Sequence, residues 1–139
     1  MKKSDICLAH SLRSADRVVS QHYNEYLAPL GVRNTQFSIL RMLHKVGTTT
    51  ATHIQDALVL DQTTVSRAVK LLIRDGHVIV GQGQTKREKA LSLTKEGEKL
   101  YQQALGPWQQ AQKSLRKKLG PGKDELLIEL SRLIISTKG

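Results

Sequence analysis

The 139-residue sequence has one cysteine, Cys7, which excludes an intrachain disulfide framework and a four-cysteine zinc site. A single unpaired thiol fits a reducing compartment, and a cytoplasmic location is expected. The opening Met1-Lys2-Lys3-Ser4-Asp5 is charged and leads into no apolar h-region, so no signal peptide is read there. No window approaches the ~18 uninterrupted apolar residues that a membrane span needs, and a soluble protein is expected. A nucleophile with its base, paired carboxylates and a metal cluster are all missing as patterns, which argues against an enzyme. His10, His22, His44, His53 and His77 form no i,i+4 pair and no His-x-x-x-Glu set, so neither a metal nor another cofactor is expected. Acidic residues are also scarce. Lys and Arg outnumber Asp and Glu by 22 to 12, and the net charge of +10 on so short a chain favours a polyanionic partner.

The apolar residues are arranged as a mainly α chain with one small β-hairpin. From Ile6 to Leu30, residues Leu8, Leu12, Ala15, Val19, Tyr23, Tyr26, Leu27 and Leu30 recur at helical steps until Gly31 closes the run. Thr35 is expected to cap a second helix carrying Phe37, Leu40, Leu43 and Val46 on one face, with Gly47 as its stop. The Thr48–Thr50 cluster caps a short third helix with Ile54 and Leu58. Asp61 caps a fourth, Gln62 to Asp75, whose apolar stripe is Val65, Ala68, Val69 and Leu72 and which Gly76 ends. The period then changes to two. His77-Val78-Ile79-Val80 and Lys89-Ala90-Leu91-Ser92-Leu93 read as strands on either side of a long basic tip. Thr94 caps a fifth helix with Leu100, Ala104, Trp108, Ala111, Leu115 and Leu119 on one seam, and Gly106-Pro107 is expected to kink it. After the break at Gly120-Pro121-Gly122, a last helix carries Leu126, Leu127, Leu130, Leu133 and Ile134. No internal repeat or low-complexity tract interrupts this order.

Two short helices separated by Val59 and Leu60, then a hairpin, have the layout of a winged helix-turn-helix. With the apolar stripe of the second helix turned inward, Gln62, Thr63, Thr64, Ser66, Arg67 and Lys70 are left to face a groove. Gln bonds adenine and Arg bonds guanine bidentately, Thr methyls touch thymine methyls, and Ser, Thr and Lys suit phosphate. On an isolated helix such a row is an ordinary solvated face. The adjoining hairpin tip, with Lys86, Arg87 and Lys89 opposed only by Glu88 and with glycines that permit close approach, turns it into a coherent DNA surface.

Four segments together, Thr35-Gln36-Phe37-Ser38-Ile39-Leu40, Leu60-Asp61-Gln62-Thr63-Thr64-Val65-Ser66-Arg67, Asp75-Gly76-His77-Val78 and Leu93-Thr94-Lys95-Glu96-Gly97, resemble the MarR family of winged-helix regulators in order and spacing. The resemblance extends from about Leu8 to Leu133. It implies a single MarR-type domain over 1–139, with residues 6–32 and 95–137 as helical dimerisation arms and residues 34–93 as the DNA-binding lobe. It further implies a homodimer on a pseudo-palindromic double-stranded operator, acting as a repressor released by a small molecule or an oxidant. Arg87 matches the wing-tip arginine that enters the minor groove. Two positions depart from the family pattern. Thr85 stands where an aspartate usually orients the wing arginine, which implies a looser wing. Val59 stands where the turn often has glycine, and since a β-branched residue resists the left-handed conformation, a slightly different turn is expected.

Cys7, near the start of the first helix, is placed where some thiol-sensing relatives carry a reactive cysteine; as a lone cysteine it also reads as a small apolar residue. Tyr23, Tyr26, Phe37 and Trp108 are candidates for an aromatic effector pocket or, more simply, for packing. Arg116-Lys117-Lys118 reads as a solvated helix end. Rival readings are a non-specific DNA binder, which needs charge but no varied reading face, and a winged-helix protein-interaction module.

Overall fold

A computed structural model of the chain describes residues 2–82 and 88–138. Among them the order is α1 (Leu8–Leu27), α2 (Asn34–Val46), α3 (Ala51–Leu58), α4 (Gln62–Arg74), β1 (Val78–Gln82), β2 (Lys89–Leu93), α5 (Lys95–Leu119) and α6 (Lys123–Ser136), with a 3₁₀ turn over Ala28–Leu30 after α1. The helix boundaries follow local chemistry. Thr50 and Asp61 accept hydrogen bonds from the His53 and Thr64 amides, capping α3 and α4 as their sequence positions suggest. Gly31, Gly47, Gly76 and Gly120 all take positive φ where a helix or turn ends.

Three expectations need correction. Helix α2 begins at Asn34, so Thr35 lies inside its first turn. Side chains from elsewhere satisfy the first amides instead: Gln36 Oε1 accepts from the Arg33 amide and Asn24 Oδ1 from the Asn34 amide. The regular helix α1 stops at Leu27, and its last residues tighten into the 3₁₀ turn around Pro29. The turn between α3 and α4 keeps the left-handed geometry that glycine favours even though Val59 occupies it, at φ 53° and ψ 52°. The Val59 and Leu60 amides both bond the Gln55 carbonyl, and Leu60 packs against the core, so tertiary contacts hold a conformation that costs a β-branched residue about 1–2 kcal/mol. Helix α5 runs through Gly106-Pro107 as one continuous helix, although Pro107 has no N–H for the Gln103 carbonyl.

The core is aliphatic. Leu27, Phe37, Ile39, Leu40, Leu43, Ile54, Val65 and Leu72 are fully buried, joined by Ala68, Val69, Val78 and Leu91. Each such aliphatic side chain contributes about 1.5–3 kcal/mol by leaving water. The stripe Val65, Ala68, Val69 and Leu72 therefore fixes the roll of α4 about its axis. The hairpin pairs Val78 with Leu93 and Val80 with Leu91, and Leu91 also exchanges both backbone hydrogen bonds with Thr49, which ties the hairpin to the segment before α3.

The end of α4, the start of β1 and the start of α5 meet at one polar junction. The Thr94 amide donates to the His77 carbonyl (3.1 Å), its hydroxyl donates to the Gly76 carbonyl (2.6 Å), and the same hydroxyl oxygen accepts from the Gly97 amide (3.0 Å). Gly97 is buried against the His77 carbonyl so closely that a Cβ there would overlap the oxygen. Higher up, Phe37 of α2 stacks on Tyr101 and Trp108 of α5 at centroid distances of 5.7 and 5.5 Å, and Arg41 lies 4.6 Å over the Trp108 ring. His44 Nδ1 contacts Glu98 Oε1 at 2.7 Å, and this bond, with a second from Gln102, holds the Glu98 carboxyl below its usual range.

Three changes test this account. Gly97→Ala forces the His77 backbone to move and is expected to destabilise the protein by about 3 kcal/mol or more in denaturant unfolding, with loss of the α5–hairpin contact. Val59→Gly is expected to stabilise by about 1 kcal/mol, because relief of the left-handed strain exceeds the entropic cost of glycine at a half-exposed position. The Asp61 carboxyl is held below its ordinary value by the Thr64 hydroxyl and amide and, more weakly, by Arg67. A depressed carboxylate stabilises the fold above its unfolded value and ceases to do so as the pH falls through its folded one. Asp61→Ala should therefore lower the melting temperature at neutral pH, and the difference from the parent protein should close in acid; a constant difference would show that the charge is not involved.

Candidate nucleic-acid interface

Burial of the α4 stripe leaves Gln62, Thr63, Ser66, Arg67 and Lys70 exposed on the opposite side of the helix. Thr64 differs from them. It is half-buried and faces the Asp61 carboxylate, so it belongs to the helix cap as much as to the outer surface. Arg67 is close enough to Asp61 to feel its charge and remains exposed. At the far end Arg74 bonds Asp75, depressing the carboxyl, and this pair closes the charged row.

Gln62, Ser66 and Lys70 recur every fourth residue and so form one line along α4. That line borders a cleft of about 400 Å³ whose other walls are the start of α3 (Thr50, Ala51, Thr52, Gln55) and the hairpin (Val80, Lys89, Leu91). Val69 and Ile73 supply apolar lining from α4 itself. The geometry brings Lys89 to the same concave surface as the α4 row. Lys86, Arg87 and Thr85 lie outside the described residues.

Thr52 and Gln55 share this surface but do not stand out in the sequence. The threonine cluster before α3 signals a cap, and Thr50 does cap the helix, yet its position on the cleft wall comes from the packing of α3 across α4. A polar residue in the first turn of a short helix carries no mark of which neighbour it will face.

The candidate sensor residues are dispersed. Cys7 is exposed at the start of α1, its carbonyl accepting from the Ser11 hydroxyl. Tyr23 and Tyr26 flank His22 on α1, whereas Phe37 and Trp108 belong to the α2–α5 stack, so the four aromatic residues divide between two packing clusters. Among the described residues no group of three His, Cys, Asp or Glu is placed to hold a metal ion, and no helix is long and apolar enough to cross a membrane.

This architecture matches known proteins. The family model described as MarR family matches residues 30–88. YwoH of Bacillus subtilis strain 168, named as an uncharacterized HTH-type transcriptional regulator, is 38% identical over 96 residues, which is 69% of this chain and 70% of its own. The transcriptional regulator MosR of M. tuberculosis, solved in complex with DNA, superposes with a TM-score of 0.80 at 27% identity over 96% of this chain and all of its own. A MarR variant from E. coli, solved with operator DNA, gives 0.80 at 22% identity over 91% and 92% of the two chains, a likeness of fold. With the family model on the winged lobe, a relative of this identity across two thirds of both chains, and the fold shared to its arms, this chain belongs to the MarR family of transcriptional regulators.

Proposed function

We propose that the chain is a sequence-specific double-stranded DNA-binding regulator that works as a homodimer and not as an enzyme. The observation that carries this reading is the exposed row Gln62, Thr63, Ser66, Arg67 and Lys70, set rigidly by the buried stripe beneath it and flanked by Lys89 of the hairpin. The row combines bidentate base readers with phosphate binders on one helix, which is what a major groove requires. Lys86 and Arg87, at the hairpin tip in the sequence, extend the basic surface toward an adjacent minor groove. Thr64 acts by fixing the start of α4. The DNA complex of the MosR relative supports the same use of this fold.

Dimerisation is supported by what α1 and α6 leave uncovered. Every large apolar residue of α6, from Leu126 to Ile135, is 44% to 62% exposed, and Ile6, Leu8, Leu12 and Val18 at the other end of the chain are exposed as well. Apolar surface on this scale is expected to be covered by a second copy. Residues 6–32 and 95–137 then serve as arms, and residues 34–93 as the reading lobe. In this reading the dimer occupies a pseudo-palindromic operator in the cytoplasm and represses. A small molecule, or oxidation at Cys7, releases it by favouring a state whose reading helices are wrongly spaced.

Selection from a random duplex pool at near-physiological salt is expected to enrich a two-fold symmetric motif; a folded protein that enriches none is a non-specific binder or an interaction module. On the selected site Arg67→Ala should weaken binding by about 1–3 kcal/mol, roughly 5- to 150-fold, and relax preference at one base position. Lys70→Ala should weaken all sequences alike and reduce the salt slope by about 1.

A further inference from the structure

His22 lies on α1 in the interface with α5 and is only 8% exposed. Its Nε2 is 2.9 Å from the Ala111 carbonyl oxygen, and since a carbonyl can only accept, Nε2 carries the hydrogen. Its Nδ1 is 3.5 Å from Lys118 Nζ, and since an ammonium can only donate, Nδ1 presents its lone pair. The two contacts together specify one state of the ring, the neutral imidazole with hydrogen on Nε2. A proton added at Nδ1 would set two donors and two positive charges against each other inside a packed interface.

The surrounding groups do little to relieve that conflict. From α1, Tyr26 and Tyr23 flank the ring at centroid distances of 5.2 and 5.8 Å. Tyr23 donates its hydroxyl hydrogen to Gln112 Oε1, and burial keeps its phenol neutral against the opposing pull of Arg116. From α5, Arg116 adds a second positive charge beside Lys118, and the carboxylate that α6 brings near, Asp124, is bonded to Arg116 at 3.1 Å. Hence the charge most exposed to a protonated His22 is another cation.

We infer that the α1–α5 contact is a proton-operated joint, closed while His22 is neutral and loosened when it is protonated in mildly acidic conditions. Histidine is the side chain whose charge changes in this range, so the joint responds where the other ionisable groups around it keep their charge. His44 works in the opposite sense. Its contact with Glu98 strengthens on protonation, so acid loosens α1 on α5 while it tightens α2 on α5. Because α1 and α5 are the proposed arms, operator affinity should fall as the joint opens, a consequence that rests on the DNA-binding reading above.

Thermal unfolding of the full chain and its variants at about pH 8 and about pH 5.5 tests the joint. The parent protein is expected to lose about 2–4 °C more on acidification than His22→Gln, whose amide can still donate to Ala111 but cannot gain a proton. Lys118→Gln, an exposed change that leaves the core untouched, should also reduce the acid loss, and His44→Gln should increase it. Ring nitrogen shifts should show hydrogen on Nε2 of His22 at the higher pH. Equal acid losses in the parent, His22→Gln and Lys118→Gln, or hydrogen on Nδ1, would overturn the inference. Binding to the selected duplex at both pH values separates the two claims: no binding even at about pH 8 defeats the DNA-binding reading, while the melting and ring-nitrogen results still decide the joint.

Discussion

The carbonyl groups of Gly76 and His77 and the side chain of Thr94 form the contact on which the orientation of everything else depends. Thr94 takes one bond from each of its polar atoms to either side: its amide and hydroxyl reach back to the end of the reading helix, and its oxygen caps the helix that leads away. Gly97 lets α5 approach the His77 backbone with no side chain between them. Three directions, those of α4, the hairpin and α5, are thereby set within a few residues. A rotation of α5 cannot be absorbed by a flexible link at this point, so it must carry the lobe with it.

The α2–α5 stack makes that rigidity extend along the helix. Phe37, Tyr101 and Trp108 bury broad surfaces, while Arg41 and His44 place charge over or beside the rings. A chain with few aromatic residues has put three of them into one contact between lobe and arm. The opposite end is different in character: α6 and the first half of α1 carry apolar side chains with nothing from their own chain to cover them. Rigid coupling in the middle and unpartnered arms at the ends suit a molecule in which a change between two copies is converted into a change of spacing between two reading helices.

Most of the fold was legible because its signals are local. Asp61, Thr50 and Thr94 are caps whose spacing to the next amides defines a helix start wherever they occur, and the stripe of α4 has a period that only one helix roll can bury. Thr35 misled because the cap of α2 is assembled across a distance: Asn24 of α1 supplies an acceptor that no inspection of residues near 34 could reveal. Val59 misled for a related reason. Local preference disfavours the left-handed turn, and the packing of Leu60 and the paired bonds to Gln55 outweigh that preference.

The row Gln62, Thr63, Ser66, Arg67 and Lys70 was determined by the sequence alone, since helical periodicity assigns each position to a face once the apolar stripe is known. So was the charge that suits the chain to a polyanion. Only the tertiary structure decided that Thr52 and Gln55 border the same cleft, that Thr64 turns toward Asp61, and that His22 meets Lys118 across 96 residues of chain. The physical reason is the range of the interactions. Caps and periodicity act over a few residues and leave their mark on the order of the side chains, whereas a cleft wall or a buried ring is defined by whatever the rest of the chain brings beside it.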